Sequence, residues 1–301
     1  MKLLVTGAWQ GAKENLNALR AMGHEIAFLQ QEKEALPVDP AWVEGVICNG
    51  LFLHHPLSDF PNLRYIQLTS AGFDRVPMDE IRARGIAIRN ARGVYSVPMA
   101  EHAVWGVLSL YHQAPFFFEN QAKSRWEKHR GLRELAGKTV CILGAGSVGT
   151  ECAKRFRAFA CRVVGVNRTV RENPVFDAML PMDALTDALA QADVVVLTLP
   201  LTDATRGLMN AERLAHMKPG AVLVNIARGA IVDAEALTDA LSHHLGGAVL
   251  DVFDPEPLSP ESPLWRMENV IVTPHNSFVS DGNAVRLDSL ILKNLREDAH
   301  E

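Results

Sequence analysis

Thr139-Val140-Cys141-Ile142-Leu143-Gly144-Ala145-Gly146-Ser147-Val148-Gly149 is the stretch from which the fold can be read. An apolar run of strand length leads into a G-x-G-x-x-G turn, and the turn opens onto residues 148–159, where apolar side chains recur at helical spacing. That strand-turn-helix setting is what gives the glycine pattern meaning. Gly144 permits the tight turn, Gly146 lets backbone N–H groups approach a pyrophosphate, and Gly149 lets helix and strand pack closely. Ser147 and Val148 then stand at the helix N-terminus, where an anion is favoured. The bland alternative is a tight turn with no ligand.

Outward from this stretch the same alternation continues. Downstream, strand-like runs occupy 162–166, 194–197, 221–225, 247–250 and 270–273, separated by helical segments such as 184–191 and 234–243. Upstream they occupy 2–6, 25–29, 45–48, 64–68 and 86–89, and residues 14–22 carry Leu16, Leu19 and Met22 at helical spacing before Gly23. Strands separated by helices imply parallel sheets with crossover helices. The fold class is therefore α/β with two doubly wound parallel-sheet domains, the second of them a Rossmann cofactor domain. Gly7-Ala8-Trp9-Gln10-Gly11 also follows a strand but lacks the glycine spacing and reads as a plain turn. Between the two series, 97–111 reads as a buried helix and 123–138 as a charged segment.

Composition agrees with this and excludes other classes. The 301 residues are 48% hydrophobic, and a formal charge of -5 without a basic block excludes nucleic acid and anionic membrane surfaces as partners. No apolar run approaches the length of a membrane span, so the cytoplasm is the expected location. Cys48, Cys141, Cys152 and Cys161 lack metal-ligand spacing, and neither a metal nor a disulfide is expected.

Two further constellations suggest chemistry. After the run 162–166 come Asn167, Arg168 and Thr169, with Arg171 close behind. NAD-binding proteins usually place a carboxylate at the position of Asn167, where it would repel a 2'-phosphate. Asn167 does not, and Arg168 can pair with that phosphate, so NADP is the expected cofactor, with NAD as the alternative. A solvated basic loop is the bland reading. Farther on, Asn225-Ile226-Ala227-Arg228-Gly229, Asp251-Val252-Phe253-Asp254-Pro255-Glu256-Pro257-Leu258 and Thr273-Pro274-His275 close successive strands. An arginine, a carboxylate and a histidine thus leave the carboxyl edge of one parallel sheet, where ligands bind.

Taken together these motifs resemble the D-isomer-specific 2-hydroxyacid dehydrogenases over nearly the whole chain. Glu256 lies 28 positions after Arg228, and His275 lies 19 after Glu256, as in that family's Arg, Glu, His triad. The resemblance implies a flavodoxin-like substrate domain at 1–93 and 277–301, which regains a helix at about 281–295, and a dinucleotide-binding domain at 94–276. It implies that Ser70, Ala71 and Gly72 cradle the substrate carboxylate. It also implies that Pro200, Thr205, Ala227 and Asp251 contact the cofactor, Asp251 through the nicotinamide carboxamide. The segment Val97-Pro98-Met99-Ala100-Glu101-His102 resembles the point where the chain crosses between domains, and a twofold homodimer is expected.

The chemistry implied is reduction of a small 2-keto acid. The carboxylate needs a cation, for which Arg228 is the candidate, and the carbonyl oxygen needs a proton, for which His275 is the candidate. Glu256 on the other ring nitrogen would favour the imidazolium. Tyr95-Ser96-Val97-Pro98-Met99-Ala100-Glu101 and the Asn167-Arg168-Thr169 triplet look most like glyoxylate and hydroxypyruvate reductases. The alternatives are an NAD-dependent dehydrogenase of another 2-hydroxy acid and a dinucleotide-sensing corepressor-like binding protein. Trp126, Trp265 and Phe278 are candidates to size the pocket, though most aromatic side chains are expected in the core.

Overall fold

A computed structural model describes residues 1–298 and divides the chain into two compact units. One comprises Met1–Tyr95 and the chain from Ser280 onward, and the other is Ser96–Val279.

The first unit is built on strands β1 (Lys2–Thr6), β2 (Glu25–Leu29), β3 (Gly45–Cys48), β4 (Tyr65–Leu68) and β5 (Ala87–Arg89), all parallel in the order β2-β1-β3-β4-β5. Helix α1 (Ala12–Ala21) and the C-terminal helix Asn283–Asp298 bring Leu19, Leu287, Ile291 and Leu295 to one sheet face. On the other face Leu51, Leu57 and Phe60 join Ile81 of α2 (Met78–Ala83). Side chains buried on both faces explain why β1, β3 and β4 are nearly continuous apolar runs. Residues 7–11 are a turn, as their spacing suggests, but a tightly packed one. A Cβ on Gly7 would stand 2.3 Å from the Gln30 carbonyl oxygen, and buried Trp9 donates from Nε1 to Asp288 Oδ1 at 2.6 Å.

The second unit opens with α3 (Ser96–Tyr111) and α4 (Ala114–Ala122). It continues through β6 (Thr139–Leu143), α5 (Ser147–Ala158), β7 (Arg162–Val166), β8 (Ala178–Leu180), α6 (Leu185–Gln191), β9 (Val194–Leu197) and α7 (Ala211–Ala215). The series ends with β10 (Val222–Asn225), α8 (Ala234–His243), β11 (Gly247–Leu250) and β12 (Val270–Val272). The seven strands are parallel in the order β12-β11-β10-β9-β6-β7-β8. Helices α3 and α5 cover one face through Ala103, Val107, Ala153 and Phe156, and α6 and α8 cover the other through Leu189, Leu237 and Leu241. Helix α3 lies so close to the sheet that a Cβ on Gly106 would come within 2.5 Å of Val249 Cγ1.

Strand β8 gives no long apolar run in the sequence, because it is a three-residue, half-buried edge strand ending before Pro181. Helix α1 starts two residues earlier than its apolar spacing suggests, and the C-terminal helix starts at Asn283. Trp126, Trp265 and Phe278 lie outside the core, Trp126 at 98% exposure on a segment without regular structure. The four cysteines are buried free thiols, and burial pushes Cys141 and Cys152 up to about 12, so they pack as small apolar groups. Among the described residues no helix is long and apolar enough to cross a membrane, and no cluster of His, Cys, Asp and Glu could hold a metal ion.

Candidate active site

The glycine turn lies at the end of β6, where the order of the second sheet reverses between β6 and β9, the position at which doubly wound sheets bind ligands. Gly144 has φ +100°, a left-handed conformation that suits glycine. A Cβ on Gly149 would stand 1.9 Å from the Gly144 carbonyl oxygen, so no other residue fits there. Gly146 meets nothing within 4 Å of where a Cβ would stand, and α5 begins there without a side-chain cap. An open approach to uncapped helix N–H groups is what a pyrophosphate needs, and the residues present fit a dinucleotide. Thr198 closes the turn from β9 by donating to the carbonyl oxygens of Leu143 and Gly144 at 3.1 and 2.7 Å.

At the end of β7 the Asn167 amide donates to the Thr169 carbonyl oxygen at 3.2 Å. Arg168 is exposed and has no ion-pair partner among the described residues, and Thr169 and Arg171 are exposed beside it. Thr205 donates to the Pro200 carbonyl oxygen at 2.7 Å and accepts from Thr202 N at 2.8 Å, which folds the loop after β9 on itself.

The three candidates for chemistry leave β10, β11 and β12 at the same edge. Asn225, 1% exposed at the end of β10, accepts from Ala227 N at 3.1 Å and donates to the Arg228 carbonyl oxygen at 3.0 Å, which bends the chain sharply before Arg228. A Cβ on Gly229 would stand 2.0 Å from the Phe253 carbonyl carbon. The arginine turn therefore packs directly on the loop that carries Glu256. Within that loop Phe253 N donates to Glu256 Oε1 at 3.0 Å, and Glu256 Oε2 lies 2.9 Å from His275 Nδ1. The Glu256 carboxylate is thus fixed on one oxygen by backbone and presents the other to the imidazole. At 41% and 38% exposure, the His275 and Glu256 side chains remain accessible to a small substrate. Phe278 meets the His275 ring edge to face, with centroids 6.0 Å apart.

His275 has φ +52°, left-handed for a residue with a Cβ. Its N–H donates to the Asp251 carbonyl oxygen at 2.7 Å, and the Asp251 side chain holds the rest of the turn. Asp251 Oδ1 accepts from Thr273 Oγ1 at 2.6 Å and Asn276 N at 2.8 Å, and Oδ2 accepts from Ser277 N at 3.0 Å. Asp251 has no accessible surface. Its contacts in this chain hold the histidine turn. Asn225, Asp251 and Thr273 thus position the site from behind, and of the three the sequence points only to Asp251, as a cofactor contact. Gly229, next to Arg228, is the sequence signal of this close packing.

In the first unit the loop after β4 carries Ser70, Ala71 and Gly72. Ser70 Oγ donates to the Gly72 carbonyl oxygen at 3.0 Å, and the Asn90 amide donates to the Ala71 carbonyl oxygen at 2.6 Å. The backbone N–H groups of Ala71 and Gly72 donate to no partner among the described residues.

The chain resembles known proteins over most of its length. Residues 104–277 match the family model of the D-isomer specific 2-hydroxyacid dehydrogenase NAD binding domain. The chain is 35% identical over 245 residues to a glyoxylate reductase of Pyrococcus horikoshii, covering 78% of this chain and 73% of that protein. A D-isomer specific 2-hydroxyacid dehydrogenase family protein from Aeromonas salmonicida superposes with TM-score 0.86 at 33% identity, over 99% of this chain and 95% of the other. A D-isomer specific 2-hydroxyacid dehydrogenase from Xanthobacter autotrophicus Py2, solved with NADPH and MES, superposes with TM-score 0.82 at 32% identity, over 100% and 95% of the two chains. With a matched family model over more than half its length and a glycine turn, arginine, glutamate and histidine on successive strand ends, this chain belongs to the D-isomer specific 2-hydroxyacid dehydrogenases.

Proposed function

We propose that the protein is an NADP-preferring reductase that converts a small 2-keto acid of the glyoxylate or hydroxypyruvate type to the 2-hydroxy acid. The observation that carries the reading is the Glu256–His275 pair, 2.9 Å apart on the edge of the sheet from which the Arg228 turn also projects. Gly144, Gly146, Ser147, Val148 and Gly149 would hold the dinucleotide, with Pro200, Thr205 and Ala227 beside it. When bound, it supplies the hydride. Arg228 engages the substrate carboxylate and polarises the carbonyl. His275 uses Nδ1 to hold Glu256, which leaves Nε2 to give a proton to the carbonyl oxygen in reduction and to take it back in oxidation. In the first unit, Ser70, Ala71 and Gly72 form a second candidate cradle for a carboxylate, through N–H groups that no described residue uses.

The preference for NADP rests on Asn167 and on the exposed Arg168, which pairs with no described residue and is a planar cation suited to a phosphate. The relative solved with NADPH is consistent with it. A twofold dimer is part of the reading, supported by apolar surface on the second unit at Trp105, Phe118, Trp126 and Leu132. Sedimentation equilibrium should give twice the chain mass. Four unpaired thiols suit the reducing cytoplasm, to which we assign the protein. A panel of 2-keto acids run with each reduced cofactor tests the function. Higher kcat/KM with NADPH on a two- or three-carbon acid is expected, and higher kcat/KM with NADH would overturn the cofactor assignment.

A further inference from the structure

His102 lies on α3, far in sequence from the reacting groups, yet its Nε2 is 3.2 Å from Thr273 Oγ1. The direction of that hydrogen bond follows from counting protons. Thr273 Oγ1 has one proton and stands 2.6 Å from Asp251 Oδ1, and a carboxylate only accepts. The hydroxyl proton therefore goes to Asp251, and Thr273 can only accept from His102. His102 must carry its proton on Nε2. Burial lowers the pKa of this ring, and the Asp251 charge acts in the opposite sense. The imidazole thus donates from Nε2, and Trp105 lies against it with ring centroids 5.0 Å apart.

From the ring, a chain of hydrogen bonds runs inward. His102 Nε2–H donates to Thr273, Thr273 donates to Asp251, and the same carboxylate accepts the N–H groups of Asn276 and Ser277 on either side of its two oxygens. The turn so held contains His275 in its left-handed conformation. A non-glycine residue persists in that region when its surroundings over-determine it. We infer that His102 is a positioning residue for His275, acting through Thr273 and Asp251 to hold the turn that aims the imidazole. This rests on the reading of His275 as the proton donor and assigns α3 a share in catalysis without contact with substrate.

Removing the donor leaves the Thr273 lone pair and the Asp251 carboxylate with one fewer restraint, so the His275 ring loses its fixed aim. Small misplacements of a reacting group cost up to about 100-fold in rate. Four single variants separate positioning from packing: His102→Ala, His102→Gln, Thr273→Val and Thr273→Ser. His102→Ala and Thr273→Val are expected to lower kcat about 10-fold, with the Kd for NADPH unchanged and substrate KM within about 2-fold. His102→Gln, which places an amide donor near Nε2, and Thr273→Ser, which keeps the hydroxyl, should recover most of that loss. The double variant His102→Ala with Thr273→Val should lose no more than the worse single one, since both cut one chain.

A second readout does not need turnover. The ring nitrogen resonances of His275, recorded by NMR on the intact protein, should shift in His102→Ala and Thr273→Val and return in the two conservative variants. Unchanged His275 resonances in His102→Ala would overturn the inference, as would a kcat loss that neither conservative variant restores. If the wild-type protein turned over no 2-keto acid, the reading of its function would fail while the resonances still decided whether His102 holds the turn.

Discussion

At the β1/β3 switch point of the first sheet, Glu32 accepts from Thr6 Oγ1 at 2.9 Å and from Asn49 N and Gly50 N, each at 2.7 Å. At the β6/β9 switch point of the second sheet, α5 starts without a side-chain cap, and nothing stands within 4 Å of where a Cβ on Gly146 would be. The two units share a doubly wound topology, and each has at its switch point the N–H groups that would receive an anion. The first unit satisfies them with its own carboxylate, and the second leaves them for a ligand. Topology creates such a position, and whether it becomes a binding site depends on whether a side chain of the same chain already occupies it.

The largest expected effect separates chemistry at the second edge from binding there. His275→Ala should lower kcat by about 10²-fold or more while NADPH affinity stays near wild type, which steady-state kinetics and a fluorescence titration of the cofactor would check. An unchanged kcat would remove His275 from the reaction.

The plugged edge gives the next. Glu32→Gln keeps one acceptor oxygen but turns an amide toward a backbone donor, and should cost about 2 kcal/mol of stability, the range for a hydrogen bond to a charged group. Thermal melts should fall, and the Kd for NADPH, whose proposed site lies in the other unit, should not move. A Glu32→Gln protein as stable as wild type would mean that the switch point of the first sheet needs no plug.

Smaller again is the shift expected from Arg168→Asp, which tests how the open edge reads its ligand. The kcat/KM ratio of NADPH to NADH should drop about 10-fold or more, equivalent to about 1.4 kcal/mol. A ratio that does not move would place recognition of the 2'-phosphate elsewhere than at this loop.

The weakest effect concerns acid stability, with one histidine in each unit. Burial, together with the neighbouring N-terminal ammonium, lowers the pKa of His24 below its ordinary 6.5, and burial lowers that of His102. Between the folded and unfolded values the unfolded chain binds more protons, so stability is full above pH 6.5 and falls as the pH drops through the folded values. Melting temperature recorded from neutral pH downward should show this slope, and His24→Gln should flatten it. An equal slope in the variant would assign the acid loss to other groups.

Much of this architecture was legible because buried parallel strands write themselves as unbroken apolar runs, as in Val194-Val195-Val196-Leu197. The short edge strand Ala178–Leu180 left no such run. The order of Arg228, Glu256 and His275 was visible as well, since each follows a strand. What holds them was not. The amide of Asn225 folding back on Arg228, the carboxylate of Asp251 spent on the His275 turn, and the bond from His102 to Thr273 join residues up to 171 positions apart. Hydrogen bonds of that kind impose no periodicity on a sequence. Trp126 failed in the opposite sense, because an aromatic residue suggests a core and nothing local indicates that its segment lies exposed.

The central claim is hydride transfer to C2 of a small 2-keto acid, and the fall in absorbance of the reduced nicotinamide when glyoxylate or hydroxypyruvate is added to the purified protein tests it most directly. Steady oxidation, faster at low cofactor concentration with NADPH than with NADH, is the predicted result. A protein that binds NADPH but oxidises neither cofactor with any short 2-keto acid would contradict it.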